Sequence, residues 1–122
     1  MRDPPSAEEV DRAIRNAESQ FVNLDLVTEQ VLSHFKRKCA LYDFHIMPEG
    51  ENNFRAWVFF DTDAHLEEYT KSKFIETIKD FVFAAMERAG RGSRHEIGIV
   101  FEFDSNQNVN KQYHGNYYNR LR

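Results

Sequence analysis

Cys39 is the only cysteine among 122 residues, so no disulfide forms within the chain and the stapled frameworks of small secreted domains are excluded. No stretch approaches the ~20 apolar residues that a membrane-spanning helix requires. The opening Met1-Arg2-Asp3-Pro4-Pro5 turns acidic rather than apolar, unlike a secretory leader, and with the lone cysteine this predicts a cytoplasmic protein. No glycine loop cradles phosphate: Gly90-Arg91-Gly92 lacks the residues that flank either nucleotide-binding pattern, and it reads as a helix stop followed by a loop. His34, His45, His65, His95 and His114 are scattered, without the i, i+4 spacing that places two zinc ligands on one helix face. Internal repeats, low-complexity tracts and linkers are absent.

What is present suits one domain spanning residues 1–122. Hydrophobic residues make up 41% and charged residues 30%, a globular balance, and 11 phenylalanines can fill a large core for so short a chain. The net charge of −4 disfavours a domain built to hold phosphate backbone and favours one that meets a basic partner.

The periodicities predict an α+β fold: an N-terminal helical segment, then an antiparallel sheet of three to four strands packed with one long amphipathic helix. Ser6 and Glu9 form a capping box, and Val10, Ile14, Ala17, Phe21 and Leu24 share a helical face. Either one helix continues to about Lys38 or, the preferred reading, a break falls near Asn23–Asp25 with Asp25 capping a second helix. Tyr42, Phe44 and Ile46 alternate with Asp43, His45 and Met47, and after the turn at 48–53 a second strand runs from Phe54 to Phe60. Phe54, Ala56, Val58 and Phe60 face one way; Arg55, Trp57 and Phe59 face the other. A helical stripe from Leu66 to Ala89 ends at Gly90, where a left-handed cap belongs, and Ile97, Ile99, Phe101 and Phe103 mark another strand. A short helix is expected at Asn106 to Tyr113, then a strand or turn at Asn116 to Leu121.

Three groups of residues are candidates for function. Asp61, Asp63 and His65 could hold a divalent cation, but a strand-to-helix turn wants the same residues, with Thr62 or Asp63 as cap and Glu67 and Glu68 at the positive end of the helix. The terminal run from Lys111 to Arg122 mixes tyrosines with basic groups and could stack on RNA bases, or it could be a closing segment packed on the core. The acids Glu49, Glu51, Asp61, Asp63, Glu67 and Glu68 cluster around the hairpin loop and the start of the long helix, a receiving surface for a basic partner with Trp57 and Phe59 as exposed anchors. Cys39 has no context that marks an activated nucleophile.

The order of elements, closing on Phe103-Asp104-Ser105, Asn108-Val109, Tyr113, Gly115-Asn116-Tyr117-Tyr118 and Arg120-Leu121-Arg122, resembles the small immunity proteins of bacterial contact-dependent growth inhibition and related polymorphic-toxin systems. That resemblance implies a non-enzymatic cytoplasmic protein, without cofactor or metal, that binds the C-terminal domain of one cognate toxin, often a basic nuclease, and covers its active site or substrate surface. The alternative is an RNA-binding accessory protein acting through its C-terminal segment.

Overall fold

The computed structural model describes Ala7 and residues 21–121. The Ser6–Glu9 capping box and the stripe of Val10, Ile14 and Ala17 lie outside the described residues. The elements are α1 (Leu24–Phe35), β1 (Leu41–Gly50), β2 (Asn53–Phe60), α2 (Asp63–Lys71), α3 (Phe74–Arg88), β3 (Gly98–Ser105), α4 (Asn106–Tyr113) and α5 (Tyr117–Arg120). The fold is α+β, with a three-stranded sheet in the order β1-β2-β3.

The break before α1 falls at Asn23, which lies in the left-handed region at φ 64° and whose Nδ2 donates to Ala89 O at 2.9 Å. Asp25 therefore sits in the first turn of α1 and is not its cap. Leu24, Val27, Val31 and Phe35 form the buried face of this helix, at the spacing the sequence carries.

β2 is the central strand, and its alternation builds two cores. Phe54, Ala56, Val58 and Phe60 pack with Phe35 of α1, Phe44 of β1, and Ile78, Val82 and Met86 of α3. Each of the larger side chains, fully buried, contributes about 1.5–3 kcal/mol. On the opposite face Trp57 and Phe59 join Val109, beneath Tyr113, Tyr117 and Leu121.

Three expectations are corrected. The sheet is mixed: β1 and β2 are antiparallel, but β3 runs parallel to β2. The chain leaves β2 through two helices, and such a crossover brings the next strand back in the same direction. The long helix is two, because the polar stretch Thr70-Lys71-Ser72-Lys73 leaves no apolar residue between Tyr69 and Phe74, and Lys73 turns the backbone at φ 62°. Tyr42 points away from the helical core and is 52% exposed, since β1 shifts register between Leu41 and Asp43 and Leu41 takes the inward position.

The stop at Gly90 is as the sequence predicts. Gly90 has φ 76°, its N–H donates to Glu87 O at 3.0 Å, and Arg91 N–H donates to Met86 O at 2.9 Å, the paired bonds of a Schellman cap. No described helix is long and apolar enough to cross a membrane.

Candidate functional site

β2 and β3 are parallel neighbours, so both deliver the chain into a helix at the same end of the sheet. Thr62 caps α2, its hydroxyl accepting from His65 N at 3.2 Å, and Ser105 caps α4, accepting from Asn108 N at 2.9 Å. The two caps are cross-linked: Ser105 Oγ donates to Asp63 Oδ1, and Gln107 Oε1 accepts from Asp63 N at 3.0 Å. Free N–H groups at a helix start ordinarily attract anions; here the protein's own oxygens use these donors.

Asp61 and His65 make a second pair, Nδ1 to Oδ1 at 2.6 Å, with about two-fifths of each side chain exposed. Partial burial alone would raise the Asp61 pKa, but hydrogen bonds from His65 and Thr62 N outweigh it and hold the carboxyl below its ordinary value. Among the described residues no group of three or more His, Cys, Asp or Glu is arranged to hold a metal ion. Asp61 and Asp63 thus serve the turn, as a strand-to-helix joint requires. Cys39 is half-buried with Sγ 3.7 Å from Phe35 O, and burial pushes its thiol pKa up, away from the reactive thiolate.

The six acids expected to cluster are divided between two ends of β2. Eight residues of strand, roughly 26 Å, separate Glu49 and Glu51 at the hairpin from Asp61, Asp63, Glu67 and Glu68 at the start of α2. Hairpin and helix read as neighbours along the sequence because the strand between them is short in residues but long in space. Glu49 is ion-paired with Arg55.

Trp57 and Phe59 are not exposed anchors. They are 5% and 0% exposed, covered by α4 and α5. The sequence places them correctly on the face opposite the main core and allows a closing segment packed on the core; the structure joins the two, with Tyr113, Tyr117 and Leu121 folded over Trp57 and Phe59. Where a strand or turn is expected, that segment forms the short helix α5, with Asn116 Oδ1 accepting from Asn119 N as its cap.

The cover is held by a buried ionic clasp that the sequence reading missed. Arg120 Nε donates to Asp104 Oδ2 at 2.6 Å, and only 15% and 11% of the two side chains remain exposed. Asp104 also accepts from Asn108 Nδ2 at 2.9 Å and Ser105 N at 2.8 Å. Glu102 lies between Arg120 (3.8 Å) and Arg55 (3.1 Å). Tyr117 OH donates to Asn106 Oδ1 at 2.7 Å, and burial, aided by Tyr42, Asp43 and Asp104, raises the phenol pKa well above its ordinary value. No local signal marks this pair: only the parallel register sets Asp104 opposite Phe59, where a carboxylate entering an aromatic layer needs a cation.

With α4 and α5 folded inward, α2 stays open to solvent along its outer side. It buries none of its residues. Ala64, Glu67, Glu68, Lys71 and Ser72 line an open depression on its outward face. Glu67 pairs with Lys71 at 2.8 Å, both largely exposed. The exposed run Lys36-Arg37-Lys38 ends α1 at the same end of the sheet, where Asp61 N donates to Ala40 O at 3.1 Å. Acidic and basic patches therefore stand side by side.

The chain matches no protein-family model, no curated protein and no solved structure.

Proposed function

We propose that the chain is an immunity-type inhibitor that binds the C-terminal domain of a cognate toxin, a basic nuclease, in the cytoplasm and occludes its active site or substrate surface. It acts by binding, not by catalysis. The observation that carries this reading is α2: a helix with no fully buried residue, whose outward face presents Glu67 and Glu68 along an open depression. Its inner side packs Leu66 and Tyr69 against the main core, and the acids of its outer side complement a basic partner. The neighbouring Lys36-Arg37-Lys38 run fixes the orientation of that partner, since a mixed pattern of charge admits fewer docking poses than a uniform one. Trp57 and Phe59, being covered, take no part.

The RNA-binding alternative has less to work with. The cations described in the C-terminal segment are Lys111 and Arg120, and the guanidinium of Arg120 is turned inward onto Asp104 and Glu102. Phosphate binding needs such groups facing solvent.

The test is to produce the tagged chain together with the product of the adjacent open reading frame. A stoichiometric complex, and survival of cells that otherwise die from that product, are expected. Failure to form a complex together with failure to protect overturns the reading.

A further inference from the structure

We propose that the open edge of β3 pairs with β3 of a second copy of this chain, antiparallel, joining two three-stranded sheets into one of six strands. This does not rest on the inhibitor reading. With β2 in the middle, β1 and β3 each leave one edge. A strand edge offers unpaired N–H and C=O groups that template another strand unless something blunts it. β1 is blunted: its register with β2 shifts between Leu41 and Asp43 and again between Pro48 and Gly50, and Pro48 has no N–H to offer. β3 is not. Its pairing with β2 runs unbroken from Gly98 opposite Asn53 to Ser105 opposite Phe60, and it contains neither proline nor lysine. Among the described residues, no element pairs with its outer edge.

The side chains agree with the backbone. Val100 is 49% exposed, and Ile99, Phe101 and Phe103 are only partly buried although they belong to the main core. The rings of Phe101 and Phe103 are each approached by Lys79 Nζ at 5.8 Å.

The strand is complementary to itself, which favours a second copy over a foreign strand. A two-fold axis at Val100 sets Val100 against Val100 of the second copy on one face and Ile99 against Phe101 on the other. Such β-branched and aromatic pairs stabilise antiparallel strands. Glu102 then falls opposite Gly98, so no like charges meet within the paired stretch Gly98–Glu102, and its carboxylate is already matched by Arg55 and Arg120. The interface is isologous, and the paired edges close it at two copies.

Sedimentation of the full chain from low to high micromolar concentration tests this. A monomer–dimer equilibrium is expected, weakened about tenfold or more by Val100→Lys, with the circular dichroism and melting temperature retained because the side chain lies outside the core. In a Cys39→Ser background, Val100→Cys should be captured as a dimer by a short bis-maleimide, whereas Met47→Cys, on the outer face of β1, should not. A chain that stays monomeric at every concentration, or a dimer that Val100→Lys leaves intact, overturns the proposal.

Discussion

Replacing Arg120 by Ala should open the C-terminal cover without unfolding the rest of the protein. The substitution removes the guanidinium 2.6 Å from Asp104 and leaves a carboxylate in a residue that is only 8% exposed. Breaking a buried ion pair from one side costs about 3–5 kcal/mol. The lower end applies, since Asp104 keeps the amide of Asn108 and the N–H of Ser105. The contacts of Arg120 with the Phe59 and Tyr113 rings, at 5.9 and 6.0 Å, are lost as well. α4 and α5 are eight and four residues long, too short to persist alone, so this loss is relieved by local opening. About 3 kcal/mol raises the open population by roughly two orders of magnitude. Hydrogen exchange should therefore show protection at residues 106–121 falling by about that factor, while α1 and α3 change far less. Trp57, the only tryptophan, lies directly under the cover and should become more accessible to acrylamide. Unchanged exchange and quenching, or an equal loss of protection throughout the chain, would refute the clasp.

The same cover should loosen in alkali. The Tyr117 pKa is raised in the folded protein, so its contribution to stability is complete below the unfolded tyrosine value of about 10 and is lost as pH rises beyond it. Absorbance titration should show one late-ionising tyrosine that Tyr117→Phe removes. Gly92→Ala should destabilise by more than about 1 kcal/mol, lowering the melting temperature by about 4 °C, whereas Gly50→Ala should be close to neutral. Gly92 has φ 125° and an added Cβ would meet Ile97 Cγ2 at 2.8 Å, while Gly50 has open space around it.

Local signals in the sequence located most of the elements. The stop at Gly90 and the alternation along β2 follow from cap chemistry and side-chain period, which act within a few residues, while the break at Asn23 falls where expected without the Asp25 cap expected for it. What depends on residues distant in sequence was not legible. Period alone does not say whether β3 returns parallel or antiparallel, because that depends on the intervening crossover. Trp57 and Phe59 read as an exposed face because the residues that cover them lie fifty or more positions later. The acids at 49, 51 and 61–68 read as one cluster because nearness in sequence was taken for nearness in space, and a β-strand is the element for which that substitution fails most.

The division of those acids also gives the most direct test of the binding surface. Titration calorimetry of the chain with the product of the adjacent open reading frame should compare the parent with the double variant Glu67→Lys, Glu68→Lys and with Glu51→Lys at the hairpin. All three side chains are exposed, so folding should be retained. Affinity should fall about tenfold or more with the α2 pair and stay unchanged with the hairpin change. Undiminished binding by the α2 variant, or a loss confined to Glu51→Lys, would contradict it.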